Sequence, residues 1–210
     1  MDYRGNVELL YEELLAGGYH DTDQFSHCET ADKWWLYTEA LGLNGSRPKI
    51  VNHETFDAID QPVLYSGSPE IEPYRAQFKY GLMKQVEQHK NGADGGYGYY
   101  FTYDPSLAEF YTRTEDDGNA GGVLQIKCDD KNFVKLSEMR ALQIPAKNRL
   151  IRPRATFNQK EDVINQLIFK KDTGNLYLTM GAAIHGYDGI KYEGCSICVA
   201  VNRDHIVTAD

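Results

Sequence analysis

Residues 95–111 read Gly-Gly-Tyr-Gly-Tyr-Tyr-Phe-Thr-Tyr-Asp-Pro-Ser-Leu-Ala-Glu-Phe-Tyr, and the rest of the chain is organised around them. The glycines permit close approach of backbone or ligand, and the aromatic run over 97–103 favours a β-strand. Asp104-Pro105 breaks that strand and precedes a short predicted helix over 106–113. This pattern is consistent with a ligand cradle, and equally with a buried strand that has a turn at each end.

Composition limits the class of protein. The 210 residues suffice for one substantial core, and 41% hydrophobic with 25% charged residues is ordinary for a folded protein. No apolar run approaches the roughly 20 residues of a membrane helix, and the start of the chain lacks the pattern of a secretory signal. We therefore expect a cytoplasmic protein with no membrane partner.

The formal net charge of −9 argues against bulk binding of nucleic acid, which relies on clustered Lys and Arg. A local basic patch surrounds Pro153. It could meet phosphate or an acidic partner, although a solvated loop is the simpler interpretation. Its cations are Lys147, Arg149, Arg152 and Arg154.

Four cysteines are too few for a disulfide scaffold, so we expect reduced thiols. Cys195 and Cys198 have the C-x-x-C spacing of zinc and redox sites. A zinc site needs a second ligand pair, which the isolated Cys28 and Cys128 do not supply, and a redox motif should open a helix rather than a strand. The prediction is buried, apolar cysteines and no metal site.

The first part of the chain reads as a helical extension. Residues 43–49 are predicted to form a loop between helices. We expect residues 1–61 to form an extension packed on a core domain of residues 62–210. The predicted helices lie between Asn6 and Gly17 and over 31–41 and 54–59.

The core domain alternates short strands and helices. Its first strand, Val63–Tyr65, is predicted to leave the sheet at Ser66–Pro69, and the chain is predicted to end in an antiparallel run. This order predicts an α+β fold, and the Gly96-x-Gly98 pair lacks the third glycine of a dinucleotide fingerprint. Further predicted strands span 123–128, 132–134, 189–192, 197–201 and 205–208, and further helices span 71–89, 136–143, 160–169 and 176–185.

Three motifs follow one another in this domain. They are Leu64-Tyr-Ser-Gly-Ser68, then Gly96-Tyr-Gly-Tyr-Tyr-Phe-Thr102 with Ala108-x-x-Tyr111, then Gly186-Tyr-Asp-Gly-Ile190 with the final strands. In this order they resemble the motifs of the ADP-ribosyltransferase fold, particularly the small bacterial and phage-encoded mono-ADP-ribosyltransferases. The resemblance covers roughly residues 62 to 208. It implies a split antiparallel β-sheet core and NAD as the substrate.

The resemblance also implies roles for individual residues. Tyr100 and Tyr111 would line a nicotinamide slot by stacking, and the Gly67 backbone would bind the carboxamide. Ser66 would lie near the ribose as a catalytic residue that also contacts NAD. Tyr65 and Gly98 complete the NAD-binding set.

The sequence departs from the family at both chemically important points. Ser66 stands where the family has Arg or His, and a hydroxyl has neither their reach nor their charge. The family's catalytic glutamate often starts the last-but-one strand, where this chain has Ser196 and Ile197. Glu193-Gly-Cys-Ser196 resembles an arrangement in phage-encoded relatives that block CRISPR systems. Glu193 is therefore the candidate stabiliser of the transition state, and is equally consistent with an exposed turn.

Two other residues near the third motif could act as a catalytic acid or base, but both have simpler interpretations. Asp188, in the Gly-Tyr-Asp-Gly turn, is predicted to bond local backbone, and His185 is predicted to end a helix.

The resemblance implies an NAD-dependent mono-ADP-ribosyltransferase. Its acceptor would be a macromolecule, with a protein favoured. The resemblance also implies that the protein is an effector of a phage or mobile element and acts in the host cytoplasm. The alternative is a catalytically degenerate relative that binds NAD, ADP-ribose or a protein partner without transfer. Hydrolysis of NAD without an acceptor is a third possibility.

Overall fold

The computed structural model describes residues 38–39, 41–86, 97–113, 121–138 and 178–210. The described helices are α1 (His53–Ala58), α2 (Ile71–Tyr80), α3 (Pro105–Phe110) and α4 (Leu178–Ile184), with short 3-10 turns over Met83–Gln85 and Asp130–Asn132. The described strands are β1 (Lys49–Val51), β2 (Val63–Ser68), β3 (Tyr99–Thr102), β4 (Gly122–Cys128), β5 (Phe133–Lys135), β6 (Gly189–Lys191), β7 (Ile197–Ala200) and β8 (Ile206–Ala209).

The eight described strands form one sheet in the order β1-β8-β4-β2-β3-β7-β6-β5. Helices and strands are mixed along the chain, which confirms the predicted α+β class. The edge pairs β1/β8 and β5/β6 are parallel, whereas the inner pairs are antiparallel. The sheet is therefore mixed, and its two parallel edge pairs depart from the split antiparallel core that the resemblance implies.

The sheet narrows at its middle, between β2 and β3. Strand β2 pairs with β4 along its whole length, but its register with β3 consists of Tyr65 opposite Thr102. This junction separates two four-stranded halves. Among the described residues, the β3 side of β2 has no registered strand partner beyond Tyr65.

Strand β2 is longer than its sequence suggested. Ser66, Gly67 and Ser68 continue the ladder opposite Leu124, Val123 and Gly122, so the predicted departure from the sheet after Tyr65 was wrong. Ladder hydrogen bonds to β4 outweigh the weak strand preference of a Ser-Gly-Ser segment.

Helix α2 ends earlier than predicted. The Gly81 N–H caps it by donating to the Gln77 carbonyl at 2.9 Å, and residues 87–89 of the predicted helix lie outside the described residues. Helix α3 follows β3 closely. Its N-cap Asp104 accepts a hydrogen bond from the Ser106 N–H, and Pro105 occupies the first helical position, where proline costs no hydrogen bond.

The end of the chain crosses the sheet. Strands β6 and β7 form the predicted antiparallel pair, but β8 lies in the other half, antiparallel to β4 and parallel to β1. The predicted terminal run is therefore wrong for β8. Strand β1, which begins in the predicted loop over 43–49, pairs with β8 through Lys49 opposite Val207. The predicted boundary at residue 61 thus divides elements that share one sheet.

Successive β2 side chains point to opposite faces of the sheet. We call the face that carries Leu64 and Ser66 the core face, because α2 and the larger apolar cluster pack there, and the other the cradle face. A smaller cluster joins α4 to β5 and β6 on the cradle face and contains Val134, Leu178, Ala182 and Ile190.

Several predictions lie outside the described residues. They concern the helix after Asn6, most of the helix over 31–41, the helix over 160–169, the end of the helix over 136–143, Cys28 and the basic patch around Pro153. In the part of the chain that is described, no helix has the length and apolar character needed to span a bilayer.

Candidate functional site

Four of the predicted NAD-binding residues meet on the cradle face, and we call Tyr65, Gly67, Tyr100 and Tyr111 the tyrosine cradle. Tyr65 lies opposite Thr102, and Tyr100, two residues away, points to the same side as Thr102. Gly67 follows Tyr65 by two residues and shares its face. A Cβ at Gly67 would lie 3.3 Å from the Tyr111 Cβ, which brings α3 into the group.

Gly67 permits this arrangement because it has no side chain. A Cβ there would lie 1.8 Å from the Ala108 carbonyl oxygen, much closer than van der Waals contact. Helix α3 can therefore rest directly on the backbone of β2. Any other residue at position 67 would carry a Cβ that collides with the Ala108 carbonyl, so this contact between α3 and β2 requires glycine.

The cradle rings are partly open to solvent. Tyr65 and Tyr100 are half-buried, and Tyr111 is 47% exposed. Phe110, which sequence reasoning did not single out, is 62% exposed and meets Tyr111 edge-on with ring centroids 5.5 Å apart. Aromatic faces of this kind can stack on a flat ligand ring.

Ser66 points away from the cradle. Its side chain is buried on the core face, where its Oγ lies 2.8 Å from the Tyr74 hydroxyl. Burial raises the pKa of Tyr74, so this pair is a neutral hydrogen bond in the core. Ser66 therefore lies on the opposite face of the sheet from Tyr65, Gly67 and Tyr100, with which it was predicted to bind NAD.

Gly98 has a packing role. Its φ is +153°, and a Cβ there would lie 2.6 Å from Val199 Cγ1 and 2.7 Å from the Ala200 carbonyl oxygen. The close contact between the start of β3 and β7 requires a glycine, whatever ligand binds nearby.

Glu193 is exposed in the turn between β6 and β7, where its carboxylate accepts a hydrogen bond from the Ser137 N–H at 3.2 Å. Hydrogen bonding to Ser137 lowers the pKa of Glu193. Three strand spacings separate β2 from β6, or ~14 Å along the sheet at about 4.8 Å each. The structure does not bring Glu193 beside Ser66.

Asp188 belongs to a buried polar network. It lies 3% exposed, and its carboxylate accepts hydrogen bonds from the side-chain amides of Asn202 at 2.6 Å and Asn132 at 2.8 Å. His205 Nε2 is 3.9 Å from the same carboxylate. Asp188 was predicted to bond the backbone of its own turn. Its side chain instead links that turn to the segments of Asn132 and Asn202. His185 follows α4 directly, as predicted.

A second polar cluster joins β3, β6 and the segment before β5. The Tyr103 hydroxyl donates to Asp130, and Lys191 Nζ lies 2.7 Å from the same carboxylate. Partial burial and the bond to Asp130 raise the pKa of Tyr103, so its phenol stays protonated. All of the charges in this cluster are matched, which indicates a structural role. Sequence periodicity could not reveal it, because the three residues come from distant segments.

The two cysteines of the C-x-x-C pair have different environments. Cys198 is fully buried in β7, as predicted, whereas Cys195 is exposed in the preceding turn, where the prediction of burial was wrong. Burial raises the pKa of Cys198 and raises that of Cys128 to about 12, so both buried thiols are protonated. No cluster of three His, Cys, Asp or Glu side chains suited to a metal ion occurs within the described ranges.

Comparison with known proteins finds no matching protein-family model, no matching curated protein and no matching solved structure.

Proposed function

We propose that this chain binds NAD in the tyrosine cradle and acts as a mono-ADP-ribosyltransferase on a macromolecular acceptor, a protein. The observation that carries the proposal is that Tyr65, Gly67, Tyr100 and Tyr111 lie on one face of the sheet. Nicotinamide is a flat ring with a carboxamide. Tyrosine faces suit the ring, and backbone N–H and C=O groups suit the carboxamide.

The sheet junction supports a ligand at this position. On its β3 side, β2 has no registered partner beyond Tyr65 among the described residues. The backbone around Gly67 therefore borders the gap between the two halves of the sheet. A carboxamide bound at this edge would complete hydrogen bonds of the kind that a neighbouring strand makes.

Transfer would break the bond between ribose C1′ and the nicotinamide nitrogen, and nicotinamide would leave with the bonding electron pair. An acceptor nucleophile would bond to C1′ and lose its proton to solvent. The ribose develops positive charge on the way, which an ionised carboxylate stabilises. Glu193 is exposed and therefore ionised at neutral pH like any solvated glutamate, and its hydrogen bond with Ser137 lowers its pKa.

A second candidate function is binding of NAD without transfer. Ser66 faces the core and binds Tyr74, and Glu193 lies in the turn between β6 and β7, which are three and two strands from β2. In this arrangement the cradle is assembled, but neither candidate catalytic side chain adjoins it.

Calorimetric titration with NAD tests the cradle. We expect Tyr111→Ala to weaken binding about tenfold, because stacking of a flat ring on an aromatic side chain contributes roughly 1–3 kcal/mol. Tyr111→Phe should retain most of the affinity. Tyr80→Ala is the matched control, since Tyr80 is also an exposed tyrosine but ends α2. Equal affinity of wild type and Tyr111→Ala would remove the cradle from the binding site.

Release of nicotinamide from NAD, with labelled NAD and host lysate, tests the chemistry. If Glu193 stabilises the transition state, Glu193→Gln should lower the rate at least a hundredfold, whereas the control Glu54→Gln, at an exposed position in the first turn of α1, should not. Binding without nicotinamide release would support the second candidate. Absence of any NAD binding would reject both.

A further inference from the structure

Tyr111 is exposed, yet the segment that carries it is held at three places. Helix α3 has six residues, too few to be stable by itself in water. Its position must therefore come from contacts with the rest of the fold. These contacts also position Tyr111, which follows the last helical residue.

The first contact is the turn between β3 and α3. Thr102, only 4% exposed, accepts a hydrogen bond at Oγ1 from the Asp104 N–H at 3.0 Å. Asp104 Oδ1 in turn accepts one from the Ser106 N–H at 2.9 Å. Two side chains of the turn, on either side of Tyr103, thus accept hydrogen bonds from backbone N–H groups, and together they set the direction in which α3 leaves the sheet.

The other two contacts lie along and beyond the helix. The Ala108 carbonyl rests against Gly67, where a Cβ would be 1.8 Å away. Past the helix, the Gly121 N–H donates to the Thr112 carbonyl at 3.1 Å, and a Cβ at Gly121 would lie 2.1 Å from the Ser68 carbonyl oxygen. These backbone approaches fix the middle and the end of the segment, whereas the turn alone sets the direction of the helix at its start.

We propose that Thr102 and Asp104 are positioning residues for the NAD site: their turn sets the direction of α3 and so places Tyr111 beside Gly67. This inference rests on the proposed function, because it concerns the same cradle. Neither residue belongs to the tyrosine cradle. Each acts through α3.

The test compares NAD affinity among turn variants of the full chain. Asp104→Ala removes the cap and should weaken NAD binding about tenfold, whereas Asp104→Asn should restore it, since Asn and Asp cap helices equally well. Thr102→Val keeps the shape of the side chain, removes only the acceptor for the Asp104 N–H, and should weaken binding in the same direction. It serves as the second variant if Asp104→Ala folds poorly.

Asn52→Ala is the matched control. Asn52 caps α1, another six-residue helix, by accepting a hydrogen bond from the Thr55 N–H at 2.8 Å. Its loss should lower stability about as much as loss of the Asp104 cap. Because α1 packs against β8 and its end is bound by Lys127 of β4, on the far side of β2 from β3, NAD affinity should match that of the wild type. An equal loss of affinity in Asn52→Ala and Asp104→Ala would indicate general destabilisation and overturn the inference.

A ligand-free measurement separates this inference from the proposed function. The amides of Ala108 and Tyr111 donate to the Asp104 and Ala108 carbonyls at 3.2 and 3.1 Å. We expect both to exchange hydrogen faster in Asp104→Ala and Thr102→Val than in wild type or Asn52→Ala. Unchanged exchange would overturn the inference even if wild type binds NAD. Failure of wild type to bind NAD would instead overturn the proposed function, and the ligand role of the turn with it.

Discussion

Arg203 lies fully buried in the segment between β7 and β8. Its guanidinium donates to the Phe78 carbonyl and to the Gly81 carbonyl at 2.8 Å, at the end of α2, and lies 5.2 Å from the centre of the Tyr99 ring. These carbonyls carry the negative end of the helix dipole. Burial lowers the pKa of Arg203 to about 10, yet the group remains a cation at neutral pH and satisfies acceptors that would otherwise be unpaired.

We expect Arg203→Met to lower the free energy of unfolding by about 3 kcal/mol, because charge-assisted hydrogen bonds are lost and buried carbonyls remain unpaired. Urea unfolding followed by circular dichroism measures this change. Arg75→Met is the control on α2, where Arg75 is partly exposed and pairs with Glu72 at 2.9 Å. It should cost less than about 1 kcal/mol. Equal effects of the two variants would contradict the capping role of Arg203.

Ser66 and Gly67 show how one residue step changes a role. They adjoin in β2, but Ser66 contacts Tyr74 on the core face and Gly67 contacts Ala108 on the cradle face. A motif in the sequence presents both residues together. The alternation of a strand separates their surroundings, so a shared motif does not imply a shared site.

At the scale of elements, short helices are held by groups from distant segments. Lys127 of β4 donates from Nζ to the carbonyls of Asp57 at 3.1 Å and Ile59 at 2.8 Å, at the end of α1. Arg203 does the same for α2. In both cases a long cationic side chain, buried along its stem, replaces the missing helical partners of terminal carbonyls.

Helix α3 depends on a glycine instead. We expect Gly67→Ala to lower stability by about 2 kcal/mol and to abolish NAD binding, because the added Cβ would lie 1.8 Å from the Ala108 carbonyl and force α3 off the sheet. Thermal unfolding and calorimetry measure the two effects. Gly45→Ala is the control, since a Cβ there has no neighbour within 4 Å, and it should be neutral or slightly stabilising. If Gly67→Ala left both stability and NAD affinity unchanged, α3 would be able to move away from β2 without loss of either, and the argument would be wrong.

At the scale of the whole molecule, the buried thiols predict sensitivity to alkali. Burial raises the pKa of Cys198 and raises that of Cys128 from 9.0 to about 12. Above pH 9 the unfolded chain releases thiol protons that the folded chain keeps. The unfolded state then binds fewer protons, so the stability contributed by these groups is present below pH 9 and is lost as the pH rises.

We expect the free energy of unfolding, measured in urea with reductant between pH 8 and 10, to fall with pH by up to about 1.4 kcal/mol per unit for each buried thiol. This range lies largely below the titration of Arg203, whose lowered pKa acts in the opposite direction. Cys198→Ala should reduce the slope. Cys195→Ala, at an exposed position, should leave it as in the wild type. A slope unaffected by Cys198→Ala would contradict the argument.

Much of the local structure could be predicted. Strand β4 was expected over 123–128 and spans Gly122–Cys128, and α4 was expected over 176–185 and spans Leu178–Ile184. Alternation, a local property, puts Tyr65 and Gly67 on one face of β2, whereas the pairing of β2 with β3 and the packing of α3 bring Tyr100 and Tyr111 to that face. The orientation of Ser66 could have been inferred from the same alternation, had β2 been predicted to continue to Ser68.

The amino-acid sequence by itself determined the α+β class, the approximate positions of most described elements and the residues available to a cradle, because strand alternation, helix caps and glycine turns depend on near neighbours. Only the tertiary structure decided that β8 crosses to the far half, that β1 joins it, that Arg203 is buried and that Glu193 lies away from Ser66. These features depend on contacts such as that of the Arg47 N–H with Asp204 Oδ1, 157 residues along the chain. Local periodicity specifies which side of a strand is apolar, but not which distant strand or helix will cover it.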